Sequence, residues 1–462
     1  MPLTKALSPF PHSQVFYHRS HCMYYRKAMR TESAAHYNPA SSSAQAELTT
    51  ELLQNRLHED KQQVHARWFT IALFAGVIPF GITFASSFQP LSQFMMTDSL
   101  WDPPVTEEDM VLLDGAMIAP SVIMPILLGI SLDAAWSVNL GLLVCLIGSV
   151  FGEFLVAMGI AWHSFGLLLT GRVVSGMSFG SIFVVAETIA VQFNRRRRAT
   201  GIALILAVKT IAICLNRFWI QNFTIDSLQQ DYEKMNDMML IFALLCLGIG
   251  FLWTPLVDSL GMTDSPKDRF WKWHVPLPVW SLAASLALVA VFNTDIFLNR
   301  PGSAEWFALI FGSVILGPSL GYMLDRTDKS QAGSLSVCRW LLIISLLVFL
   351  GFVIDELSGL TAGSVFSAFG LGSLPMLIRA AVPQVASRDN ISTSLGLTEG
   401  ATFAAAACLG NISKPTFLSK LALLLPMMAL FAYVRESLWA KFSAVHPSRS
   451  HYTAEPSHVR GA

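Results

Sequence analysis

The sequence predicts an all-α membrane protein with about twelve membrane-crossing helices. Long apolar windows, a shortage of charge and an uneven split of charge between connections support this. Apolar residues make up 53% of the 462-residue chain and charged residues 13%, against about 25% in soluble domains. Mean hydropathy is +0.51. A soluble fold has no place to hide so much apolar length.

The windows fall near 68–88, 110–131, 137–161, 164–192, 199–221 and 238–260, then 275–298, 303–324, 333–355, 358–384, 393–411 and 415–438. Each holds about 20 residues, enough to cross about 30 Å of hydrocarbon. Even-numbered connections are basic: Arg195 to Arg198, Lys267, Arg269, Lys272, Arg326, Lys329 and Arg388. Odd-numbered ones are acidic, with Asp98, Asp102, Glu107, Glu108 and Asp109 in the first and Asp226, Asp231, Glu233 and Asp237 in the third. Positive charge stays on the cytosolic side. The even connections and both termini are therefore expected in the cytosol. The implied organisation is a disordered tail over 1–66, a six-helix half over 67–260, a cytosolic linker over 261–274, a second half over 275–440 and a cytosolic tail over 441–462.

Composition also excludes functions. Net charge is zero, which gives no field to attract nucleic acid. The six cysteines show no paired metal-ligand spacing. No metalloprotease, nucleophile-elbow or phosphate-loop pattern is present. We therefore expect no enzyme, no metal and no cofactor, with a small-molecule substrate and the lipid bilayer as partners. Trp68, Trp101, Trp162, Trp219, Trp253, Trp271, Trp273, Trp306 and Trp439 fall at span ends, as in an interfacial belt.

An element repeats after six spans. Gly129 and Asp133 close span 2; Gly321 and Asp325, followed by Arg326, close span 8. Parallel six-plus-six repeats mark one large class of transporters. The glycine lets two helices approach. The aspartate can face the positive N-terminal end of a neighbouring helix, and Arg326 can pair across the interface. Such a latch would hold the cytosolic side shut.

These motifs resemble the major facilitator superfamily, and more finely its lysosomal dipeptide-transporter branch. Pro120 stands thirteen residues before Asp133, and Pro318 precedes Gly321, Asp325, Arg326, Thr327 and Lys329. Span 1 carries Phe80, Gly81 and Phe84, then Gln89 and Pro90; span 4 carries Gly171, Arg172 and Gly176; span 11 carries Thr393 and Gly396 after Pro375 and Pro383 of span 10. The resemblance covers about residues 68–440. It implies two six-helix halves, rocker-switch transport of a dipeptide or amino acid out of a lysosome-like compartment, uniport, and a glycosylated accessory membrane protein. A sugar or organic-anion transporter on the same scaffold, or a non-transporting receptor, is the alternative.

The departures concern selectivity. The branch places a glutamate on span 4 to hold the peptide's amino group; here Ser178, Phe179, Gly180 and Ser181 stand there, and Glu187 is the nearest acid. The branch's span-5 arginine is matched by Lys209, which keeps the charge without the planar fork. Ala134 follows Asp133 where the branch has a base.

Ionisable residues inside a membrane are costly and mark pathways or pairs. The candidate substrate-binding residues are Lys209 and Arg217 of span 5, Glu187 and Arg172 of span 4, Arg379 of span 10 and Glu399 of span 11. Their structural readings stay open beside the functional ones. Arg172 can pair with Glu153 or Asp295, Glu187 can meet the Arg195 to Arg198 run, and Arg379 can face Glu399. The candidate gating residues are Gly129, Asp133, Gly321, Asp325 and Arg326.

Overall fold

The computed structural model describes residues 77–84, 95–96, 101, 104–193, 197–222, 232–259, 275–299, 302–327, 333–358, 361–387, 389–409 and 426–437. The expected tails, the linker over 261–274 and Lys329 lie outside the described residues. Helices are named in chain order. α1 is 77–84. Then come α2 (Glu107–Ala134), α3 (Val138–Ala161), α4 (Phe165–Phe193), α5 (Arg198–Asn222) and α6 (Tyr232–Ser259). α7 is Leu277–Asn299, and α8 runs over 304–327 with a π turn at Gly312–Leu316. α9 is Gly333–Ser358, α10 Thr361–Val385, α11 Ile391–Leu409 and α12 426–437. Each helix falls on the apolar window of the same number. Among the described residues seven are long and apolar enough to cross a membrane, and shorter apolar stretches occupy Asp237–Trp253 and Leu277–Asn293.

Local chemistry sets the boundaries. Thr106 and Asp109 form a reciprocal capping box: the Asp109 amide donates to Thr106 Oγ1 at 3.3 Å, and the Thr106 amide donates to Asp109 Oδ2 at 2.9 Å. Glu107, Glu108 and Asp109 also place negative charge at the positive end of α2. Ser137 caps α3 through the Leu140 amide at 3.1 Å, and Ser303 caps α8 through the Trp306 amide at 3.2 Å. Between α3 and α4, His163 takes φ 51°, a left-handed conformation that reverses the chain, and its ring meets Trp101 edge-on at 5.4 Å.

Packing repeats with a period of six helices. α2 packs on α4, and α8 on α10; α3 packs on α4, and α9 on α10; α2 meets α11, and α5 meets α8. α4 and α10 are the most enclosed helices, with 78% of each apolar window buried. From Ile182 to Val191 every side chain of α4 is buried. The outward faces of α2, α3, α6 and α8 expose Val111, Ile123, Phe151, Leu252 and Phe307, as lipid contact requires. Buried serines such as Ser121, Ser285 and Ser345 donate to carbonyls four residues back in their own helices, which satisfies their hydroxyls without water.

Two tryptophans depart from the expected belt. Trp101 and Trp253 are each 4% exposed. Trp253 turns inward because its ring N–H finds Asn139 Oδ1 at 3.2 Å. Trp162 is 66% exposed and remains at its helix end as expected.

Loss of the capping box on α2 has a measurable size. Thr106→Ala should cost about 1 kcal/mol and lower the thermal unfolding midpoint of the detergent-purified protein, whereas Thr106→Ser should leave it unchanged.

Candidate functional site

Three layers of polar chemistry cross the bundle. The first lies at the end where the basic connections emerge. Asp133, at the last turn of α2, accepts from the amides of Ser392 (3.2 Å) and Thr393 (2.7 Å) and from Thr393 Oγ1 (2.8 Å). It thereby caps α11. Asp325, at the last turn of α8, accepts from the amides of Ala199 (3.1 Å) and Thr200 (2.8 Å) and from Thr200 Oγ1, and so caps α5. In each case a carboxylate on one helix end supplies the negative charge and acceptors that another helix's N-terminus lacks. A Cβ on Gly129 would strike the Ser392 carbonyl, and one on Gly321 the Ala199 carbonyl, so only glycine permits either approach. Arg326 is exposed, and its guanidinium lies 4.8 Å from the Tyr322 ring of its own helix rather than reaching across the interface.

The second layer is a chain of four charges. Arg379 Nη1 donates to Glu187 Oε1, and Nη2 donates to Glu399 Oε2. Lys209 Nζ donates to Glu399 Oε1 at 2.9 Å. Thus α4, α5, α10 and α11 each contribute one charge, and the sum is zero. The two glutamates are fully buried and Arg379 nearly so, while the Lys209 side chain keeps 16% exposure. Helix rise places Glu399 about 9 Å beyond Thr393 and Lys209 about 14 Å beyond Thr200, so this layer sits deeper in the bundle than the capping aspartates.

Lys209 also has an aromatic lining. Its Nζ lies 4.0 Å from the Phe183 ring centre and 5.3 Å from that of Phe403. Phe179 meets both Phe183 and Phe403 edge-on at 5.7 Å, so one ring contact spans α4 and α11. Ring faces stabilise a cation that has little water around it. Phe179 and Phe403 are half-buried, and Phe183 is buried.

The third layer lies toward the opposite end and within α2, α3 and α4. Arg172 Nη2 is 3.8 Å from Asp114 Oδ1, and Ser175 Oγ donates to Glu153 Oε1 at 3.0 Å. Arg172 and Glu153 are each 3% exposed and attract one another. The Asp114 side chain is 55% exposed.

The candidates therefore fall into two groups. Glu187, Lys209, Arg379 and Glu399 come together, while Arg172 stands apart with Asp114 and Glu153. Glu187 meets Arg379 across the bundle, because its position on α4 faces α10; Arg195 and Arg196 lie outside the described residues. The side chains of Arg217 and Asp295 lie outside the described residues. Sequence reasoning missed Phe179, Phe183, Phe403 and Asp114. A signal for the rings exists: Phe179, Phe183 and Glu187 are spaced by four, as are Glu399 and Phe403, which puts each set on one helix face.

No family model and no curated protein sequence matches the chain. Solved structures do match its fold. The human organic anion transporter MFSD10 (TETRAN) superposes with a TM-score of 0.52 at 14% identity, covering 82% of this chain and 98% of that one. The fucose:proton symporter FucP of E. coli gives 0.54 at 13% identity over 82% and 98%. The proton:xylose symporter XylE, bound to 6-bromo-6-deoxy-D-glucose, gives 0.54 at 12% identity over 80% and 95%. The chain is a multi-pass membrane protein with the major facilitator fold.

Two tests address the layers. Arg379→Gln strands the buried Glu187, while Glu399 keeps Lys209, and should cost about 3–5 kcal/mol; adding Glu187→Gln should recover most of the lost unfolding midpoint. Asp133→Ala removes two amide acceptors and a hydroxyl acceptor worth about 1.5–3 kcal/mol each. Hydrogen–deuterium exchange should then quicken in the first turn of α11 and stay unchanged in that of α5.

Proposed function

We propose that the protein is a transporter that moves a small organic anion by alternating access, with the capped end cytosolic and closed in this conformation. One observation carries the choice of cargo. Of the four charges in the central layer, Lys209 alone keeps appreciable exposure, and its partner Glu399 has a second cation in Arg379. An incoming carboxylate can therefore take Lys209 while Glu399 remains paired. The exchange replaces one ion pair by another and strands no buried charge. Phe179 and Phe403 offer half-buried ring surface for an apolar or aromatic body.

Transport follows from the two capping aspartates. Asp133 and Asp325 tie α2 to α11 and α8 to α5, so opening this end releases both helix contacts together. The central layer parts in the same motion, since Arg379–Glu187 and Lys209–Glu399 both join α4 and α5 to α10 and α11. Gly129, Asp133, Gly321 and Asp325 then act as the gate, and Lys209 as the cargo contact. An organic anion transporter among the fold neighbours supports the reading; sugar symporters share the fold as well.

The second reading is a dipeptide or amino acid leaving a lysosome-like compartment, as the sequence resemblance implies. The opposed Lys209 and Glu399 favour it, since a zwitterion can place its carboxylate on one and its ammonium on the other. Full burial of both glutamates, and the serines at 178 and 181, weigh against it.

Purified full-length protein in liposomes should take up labelled p-aminohippurate and discriminate against glycylsarcosine and glucose. Lys209→Ala should abolish that uptake and leave the elution profile of the purified protein intact. Preferred uptake of the dipeptide would move the assignment to the second reading, and unaltered uptake by Lys209→Ala would remove Lys209 from the site.

A further inference from the structure

Pro375 lies inside α10. Proline has no N–H, so the Leu371 carbonyl, one helical hydrogen bond back, loses its usual donor. Asn293 of α7 supplies a replacement: its Nδ2 donates to that carbonyl at 3.4 Å. The bond settles which way the amide points, because only its NH2 side can serve a carbonyl. Asn293 Oδ1 is thereby turned away from Leu371. It is buried, with no hydrogen-bond donor among the described residues, although the residue as a whole is half-buried. Ser313, on the π turn of α8, has given its hydroxyl to the next carbonyl, that of Gly372, at 2.9 Å. A buried acceptor left unpaired is costly, and π turns gather at functional sites.

The position of this amide relates it to the central layer. α4 and α10 both run toward the capped end, and Glu187 and Arg379 join them. Phe179 stands eight residues before Glu187, and Leu371 eight before Arg379. Helix rise therefore puts Phe179 and the Leu371 carbonyl at one level, about 12 Å from the charge layer on the side away from the caps. Phe403 lies about 6 Å beyond Glu399 in the same direction. α7 packs along α10 and α11, so Asn293 reaches this level from beside the helix that carries Phe403. Moving away from the caps, a cargo meets first Lys209, then the rings, then the Asn293 amide.

We infer, on the reading that an anion is held at Lys209, that Asn293 is a second anchor for the cargo. Its Oδ1 accepts a hydrogen bond from an N–H or O–H at the end of the molecule remote from the carboxylate. The cargo class narrows to monoanions with a carboxylate at one end, a ring or flat apolar body between, and an amine, amide N–H or hydroxyl at the other. Lys209 reads only the charge, and the faces of Phe179 and Phe403 take any apolar body. Selectivity falls to Asn293, because a cargo without a distal donor leaves Oδ1 buried and unpaired.

The test compares two labelled anions in proteoliposomes holding the full chain. p-Aminohippurate carries a distal amine; hippurate lacks it and is otherwise the same. In the unaltered protein kcat/KM for p-aminohippurate should exceed that for hippurate by about threefold to tenfold, the worth of one hydrogen bond. Asn293→Leu should bring the two anions to parity, chiefly by slowing p-aminohippurate. A bond that only braces α10 would instead lower both and keep their ratio. Pro375→Ala returns a helical donor to the Leu371 carbonyl and frees the amide to turn over. The preference should then shrink, and p-nitrohippurate, whose distal group only accepts, should gain. Equal kcat/KM for the two anions in the unaltered protein overturns the role of Asn293 and leaves the anion reading standing. A preference that survives Asn293→Leu overturns it as well. If that variant does not fold, Pro375→Ala decides, and an unchanged ratio there removes Asn293 from the site. Uptake of neither anion defeats the reading at Lys209 itself.

Discussion

A guanidinium with almost no access to water sits between two buried carboxylates, and the bundle is arranged around it. Arg379 could not occupy that position alone, since stripping its hydration costs several kcal/mol. Glu187 and Glu399 offset that cost from different helices, and each of them in turn needs Arg379. This mutual dependence fixes the approach of α4, α10 and α11. It also explains why α4 and α10 are the most enclosed helices although they carry charge. Lys209 joins through Glu399 and is the point where the closed network touches accessible space.

The capping aspartates and the charge chain are coupled by construction. Asp133 fixes the first turn of α11, and Glu399 lies two turns further along the same helix. Asp325 fixes the first turn of α5, and Lys209 follows on that helix. A helix is stiff over this length, so movement at a cap is delivered to the charge.

Much of this was legible in the sequence, and the reasons differ by residue. The helices were readable because lipid demands about 20 apolar residues per crossing. The repeat of Gly129 and Asp133 at Gly321 and Asp325 was readable because close approach needs glycine and a helix N-terminus attracts carboxylate. The pairing of Glu187 with Arg379 was not readable, since it joins residues 192 positions apart and depends on how α4 faces α10. Arg172 finding Asp114 has the same cause. The phenylalanines around Lys209 were hidden by abundance: among 31 phenylalanines, a spacing of four stands out only once the charged partner is known.

The π turn in α8 carries a consequence of its own. A turn of this kind accommodates one residue more than an α turn, and one residue is about 100° of rotation around the axis. The segment from Gly317 to Thr327 is therefore out of phase with the first part of the helix. Ser313 anchors the turn by donating to the Gly372 carbonyl at 2.9 Å. Remove the extra residue, and the whole later segment swings by about 100°, which carries Asp325 off the start of α5. The aim of that aspartate is set a dozen residues upstream, by a phase shift in the backbone rather than by its own surroundings.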